Sequence, residues 1–146
     1  MALLGAYETG LKLLGARGRT RAKLAELLQA RGFDPIEVQA ALDRLDRLGY
    51  LDDEAHGSAM ARAWLLEHRS RADVLARLEE LGLASPVASR ILAQAIEEVG
   101  YRELFAASAL LAKRGLPLGA KAARFLLSRG FPEELCEKVA GFSPEG

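Results

Sequence analysis

Apolar residues recur along this chain three and four positions apart. Leu24, Leu27 and Leu28 share one helical face, as do Val38, Ala41, Leu42, Leu45 and Leu48. Val74, Leu75, Leu78 and Leu81 follow, then Val87, Ile91, Leu92 and Ala95. Leu104, Phe105, Leu111, Phe125, Leu126, Leu135 and Val139 carry the spacing onward, and Leu4, Tyr7, Leu11 and Leu14 place a first helix ahead of them all. No segment alternates apolar and polar residues as a strand would. The pattern predicts an all-α protein of about nine helices.

Helix ends are marked by residue type. Gly18, Gly32, Gly49, Gly82, Gly100, Gly115, Gly130 and Gly141 mostly close apolar runs, where a left-handed C-cap suits glycine. Thr20 and Ser70 stand as N-caps, and Ser70 with Asp73 fits a capping box. Asp34, Pro35 and Glu37 give a cap, a first-position proline and an acid in the first turn; Ser85–Pro86 repeats the order of cap then proline. Pro132 with Glu133 and Glu134 lacks the polar cap.

The helices repeat as a group. "RTRAKLAELLQARGF" (19–33) returns as "RSRADVLARLEELGL" (69–83), with Arg, Arg, Ala, Leu and Gly at matching offsets. Gly32, Gly82 and Gly130 each follow a short helix and precede another. Spacing of this kind predicts three tandem three-helix repeats, at 1–49, 50–98 and 99–146, in an elongated, curved array. The third is divergent: "PLGA" (117–120) stands where the others have "RTRA" and "RSRA".

Composition narrows the function. Half of the 146 residues are hydrophobic, enough for a core, and no run approaches the ~18 apolar residues of a membrane helix. The opening stretch lacks the basic region and cleavage site of a secretory signal. Cys136 is the single cysteine, so no internal disulfide can form; a half-buried, inert thiol in a cytoplasmic protein is expected. Twenty basic and 20 acidic residues cancel. By thirds the charge is +2 for 1–50, −4 for 51–98 and +2 for 99–146, which argues against tight autonomous DNA binding.

No catalytic constellation emerges. The phosphate-loop pattern is absent, and Gly10, Gly15 and Gly18 form no dinucleotide fingerprint. His56 and His68 lack zinc-ligand spacing. The carboxylates of "LDDE" (51–54) read as a helix start, with Asp52 or Asp53 capping a helix that runs to about Glu67. Met60 and Trp64 are expected to pack in the core or between repeats, and Tyr7, Tyr50 and Tyr101 to cover repeat junctions. No catalytic residue, metal ligand, cofactor or small-molecule substrate is expected.

Basic residues are the candidates for binding a partner: Arg17, Arg19, Arg21 and Lys23, echoed by Arg69 and Arg71. The plain alternative is a solvated helix entry. Yet positive charge at a helix N-terminus opposes the helix dipole by roughly 0.3–1 kcal/mol per charge. Doing so twice invites an acidic or phosphate-bearing partner.

Three stretches resemble the RecX family, bacterial regulators of the RecA recombinase. Gly10–Phe33 is similar to the family's opening helix, Arg-Ser/Thr-Arg turn and Gly-Phe. Ala41–Glu54 resembles its Gly-Leu/Tyr-Leu-Asp-Asp passage, and Ala123–Phe131 its final Phe-Leu-x-x-Arg-Gly-Phe. His56 and Gly57 stand where the family usually has an aromatic residue followed by Ala. The resemblance implies a non-enzymatic modulator, mainly an inhibitor, that lies in the groove of the RecA–DNA filament. There it would lower ATPase, strand-exchange and LexA co-protease activity, and so regulate DNA repair and the SOS response. Expected partners are the RecA filament and, weakly, single- or double-stranded DNA; no membrane is expected, and the chain should be a monomer. Two other readings stay open from the residues alone: a helical DNA-binding transcription regulator, and a helical-repeat adaptor for another protein.

Overall fold

A computed structural model describes residues 4–141; among them are nine helices and no strand. The outermost residues of the expected first and third units, 1–3 and 142–146, lie outside this range. The helices are α1 (Ala6–Ala16), α2 (Arg21–Ala30), α3 (Pro35–Arg47), α4 (Asp53–Leu66), α5 (Arg71–Glu80), α6 (Ser85–Val99), α7 (Glu103–Arg114), α8 (Ala120–Ser128) and α9 (Glu133–Ala140). They form three separate cores. Leu24, Leu28, Val38, Leu42 and Leu45 fill the first, Leu65, Val74, Leu78 and Ile91 the second, and Leu111, Leu126, Phe131 and Cys136 the third. The surface of 8987 Å² exceeds the ~7,300 Å² of a compact globule of this mass, as a tandem array should. The all-α class and its three-helix repeats are thus as the apolar periodicity predicts.

Most helix starts follow the sequence. Asp34 accepts the Glu37 N–H at 2.8 Å and Asp52 accepts that of Ala55 at 3.0 Å. Thr20 accepts the Lys23 N–H at 3.3 Å and Ser70 that of Asp73 at 3.1 Å.

Several local expectations are corrected. Ser85 is the first residue of α6 rather than its cap; Ala84 holds that position, and the Ser85 hydroxyl donates instead to Glu79 at 3.1 Å. Gly18 does not adopt positive φ, because α1 ends on an extended Arg17, whereas His68 takes the left-handed conformation after α4. Leu48, Phe105 and Tyr50 are exposed, and Tyr7 stacks within its own repeat under Arg44, 3.8 Å away. Cys136 is buried outright, and burial pushes its thiol pKa up. In α1 the buried positions are Ala6, Thr9 and Gly10 rather than the larger Leu4, Tyr7, Leu11 and Leu14. The reason is a close approach to α3: a Cβ on Gly10 would meet Leu45 Cδ1 at 2.9 Å.

The repeats are joined by one device used twice. The Thr20 hydroxyl donates to the Leu81 carbonyl at the end of α5, and the Ser70 hydroxyl donates to the Arg129 carbonyl at the end of α8, at 2.7 Å. Both hydroxyls belong to residues with 0% exposure. The next N–H of each helix also finds a partner in the following repeat: Arg21 N–H donates to Asp53 at 2.7 Å and Arg71 N–H to Glu103 at 2.8 Å. These carboxylates satisfy orphan donors and face the positive end of the helix. They answer the question of how basic residues are tolerated at these helix entries. At the second joint, the Tyr101 hydroxyl adds a bond to the Arg69 carbonyl at 2.7 Å.

Tight backbone contact completes each joint. Gly82 has φ +101, and a Cβ there would collide with Ala22 Cβ; at Gly130 it would lie 2.8 Å from Ser70 Oγ. Gly32, the equivalent in the first repeat, has nothing within 4 Å. At the other end, Leu118 stands where Thr20 and Ser70 stand, and it is exposed. The joints therefore link α8 to α5 and α5 to α2, end to end, and stop there.

Candidate functional site: grooves at the repeat junctions

The six basic candidates do not form one patch. Arg17, Arg19 and Lys23 line a groove of about 440 Å³ between the first two repeats. Arg19 precedes α2 and Lys23 lies in its first turn, and both reach this groove. Arg19 Nε donates to the Leu13 carbonyl at 3.4 Å, and Lys23 lies 3.7 Å from Glu26. Arg17 is exposed, with no carboxylate partner among the described residues. Leu27, Met60 and Trp64 give the groove an apolar wall, with His56 beside Gly18. Trp64 is half-buried against the second core, so the expectation of packing between repeats describes it well.

Arg21 faces elsewhere. Its guanidinium bonds Asp43 at 2.6 Å and Gln39 at 2.9 Å, and it borders a cavity lined by Asp46, Asp52, Asp53 and Glu54. Arg69 enters the matching groove at the second junction, with Glu67 at 3.0 Å and Asp73 at 3.1 Å. Burial works against its charge, but the bonds to these two acids prevail and raise its pKa. The Arg71 side chain is exposed. The structure thus gathers three of the six cations, neutralises Arg21 and Arg69 internally, and leaves Arg71 apart.

Chemically, the first groove offers cations over an apolar wall, which suits an acidic segment carrying a hydrophobic side chain. Among the described residues, no group of three or more His, Cys, Asp or Glu is placed to hold a metal, and no helix is long and apolar enough to cross a membrane. Sequence reasoning does not single out Leu27 or His56 for the groove. They become visible only when the loop before α2 is laid against α4.

Three helical units, polar joints and grooves walled by cations define a helical-repeat protein. Comparison with known proteins identifies the lineage. A family model described as RecX, first three-helix domain, matches residues 6–45. A Thermus thermophilus protein named Regulatory protein RecX is 39% identical over 122 residues, covering 84% of this chain and 80% of that one. The Leptothrix cholodnii protein of the same name is 30% identical over 135 residues, covering 88% and 83%. The crystal structure of RecX from Lactobacillus salivarius superposes with a TM-score of 0.74 at 16% identity, across 93% of this chain and 92% of that one, and so shares the fold. The chain belongs to the RecX family, whose matched relatives are named regulatory proteins.

Proposed function

We propose that this chain is a non-enzymatic, monomeric, cytoplasmic modulator of RecA that lies in the groove of the RecA–DNA filament. There it lowers ATP hydrolysis, strand exchange and LexA co-protease activity. The observation that carries the reading is the first junction groove, where Arg17, Arg19 and Lys23 surround an apolar wall in a chain of the RecX family. An array of rigid units can touch neighbouring protomers of a polymer at once, so modest contacts multiply. Arg71, exposed on the same helix entry of the second repeat, extends the contact; Arg21 and Arg69 shape it through their ion pairs.

The test is ATP hydrolysis by the cognate RecA on single-stranded DNA, with this protein added below stoichiometry. Strong inhibition is expected. Replacing Arg17, Arg19 and Lys23 together by Glu should weaken inhibition about tenfold or more, the equivalent of ~1.4 kcal/mol, with helix content unchanged. No inhibition at several-fold excess, alongside tight sequence-selective binding to duplex DNA, would establish a transcription regulator instead. Silence in both assays would leave an adaptor.

A further inference from the structure

The two junction grooves are built on matching positions and carry different chemistry. Thr20 lines the first and Ser70 the second. In the aligned repeats Arg17 is matched by Glu67, Arg19 by Arg69 and Lys23 by Asp73. One arginine is kept, and the two cations on either side of it have become acids. The apolar wall changes as well. Leu27 and Leu81 are matched by Arg77 and Arg129, and Trp64 by Arg114. Met60 alone keeps an apolar counterpart in the second groove, Leu110. That groove is also smaller, about 270 Å³ against about 440 Å³.

The acids of the second groove are already engaged. Glu67 holds Arg69 at 3.0 Å, and Asp73 holds Arg69 at 3.1 Å and Arg77 at 3.2 Å. Ion pairs within the second repeat thus occupy one side of the groove, facing Lys113 and Arg129 of the third. In the first groove Lys23 has only Glu26, 3.7 Å away, and Arg17 has no carboxylate partner among the described residues.

We infer that Glu67 and Asp73 are specificity-determining residues. They close the second junction to the acidic segment with a hydrophobic side chain that the first junction accepts, and so hold the array to one register on its partner. Such a segment entering the second groove meets two carboxylates where the first groove gives it two cations, and like charges brought together are costly. To reach Arg69 or Arg77 it must displace acids already bonded to them. Its hydrophobic side chain meets arginines in place of Leu27 and Leu81. Repulsion at the wrong site separates similar sites more sharply than attraction at the right one alone. A tandem of like repeats has particular need of this: a regular polymer offers the same segment at every step, and the array could otherwise slip along it by one unit. The register follows from the proposed docking on RecA, and the selectivity from the grooves alone.

The test is calorimetric titration of the full chain with a short glutamate-rich peptide carrying one leucine. One peptide per chain is expected, held less tightly as salt rises. Arg17→Glu/Lys23→Asp, which gives the first groove the acids of the second, should weaken binding about tenfold or more. Glu67→Arg/Asp73→Lys combined with Arg77→Leu/Arg129→Leu makes the reciprocal change and should add a second site. Glu67→Gln/Asp73→Asn, which keeps side-chain size and removes only the charges, should add a weaker one. Thermal melts check that each variant is folded. On the filament, a carbodiimide that joins amines directly to carboxylates should couple Lys23 to RecA and leave Lys113 uncoupled; Glu67→Gln/Asp73→Asn should let Lys113 couple as well. No peptide binding by the wild-type chain, or two equal sites on it, would overturn the inference. So would a single site in a folded Glu67→Gln/Asp73→Asn variant, or wild-type coupling of Lys113 equal to that of Lys23. Absence of RecA inhibition and of any cross-link, with the peptide results as expected, would overturn the docking on RecA and leave the selectivity of the grooves standing.

Discussion

The Ser70 hydroxyl donates to the Arg129 carbonyl across 59 residues of chain, and Thr20 makes the same bond to Leu81 across 61. Each hydroxyl also caps its own helix. Ser70→Ala removes both bonds at once and leaves a carbonyl unpaired at the joint. A loss of about 1–2 kcal/mol is expected, and Thr20→Ala should match it. Urea denaturation measures the change, and unchanged midpoints for both variants would mean the joints carry no stability.

Gly32 and Gly82 separate two costs that usually occur together. Both have positive φ, +94 and +101, so any side chain strains the backbone at either. Only at Gly82 would the new Cβ also strike a neighbouring repeat. Gly32→Ala should cost about 1 kcal/mol, Gly32→Val more than that, and Gly82→Ala at least ~2 kcal/mol. Equal losses for the two alanine variants would show that the joint yields without cost.

Tyr101 links stability to alkaline pH. Burial first, and the nearby Glu103 charge second, push its phenol pKa well above the ordinary value, with Arg71 opposing. The unfolded chain loses this proton near pH ~10, while the folded chain keeps it. Stability from the Tyr101–Arg69 bond is therefore complete below about pH 10 and falls as pH rises from there towards the folded value. Tyr101→Phe should be less stable at neutral pH yet lose less between about pH 9 and 11. Melting temperatures across that range decide it; parallel pH profiles would contradict the assignment.

Much of the fold is legible because the repeats are local. Helix faces, most caps and the return of 19–33 at 69–83 all depend on residues within a few turns of one another. The joints are not local. Asp53 reads as a helix-start acid, and nothing near it announces that it receives the Arg21 N–H 32 residues away. The face of α1 departs from its pattern for a related reason. Size favours Tyr7 and Leu11 as core residues, whereas close contact with α3 selects Gly10.

The candidate site divides in the same way. Arg21 and Lys23 lie two positions apart in the first turn of α2 and so point to different sides by simple phase, whereas Arg19 precedes the helix and joins Lys23 only through the path of the loop before it. The pairing of Arg69 with Asp73 is a four-residue relation that sequence can suggest.

The direction of the joints bears on how the molecule is made. Each hydroxyl lies in an earlier repeat and its carbonyl in a later one, so the entry helix of each of the first two units is fastened only when the next unit leaves the ribosome. Thr20 waits for Leu81, and Ser70 in turn for Arg129. Until then every finished bundle keeps one open helix entry with its donors in water, and the array gains its fixed pitch only as the last repeat emerges.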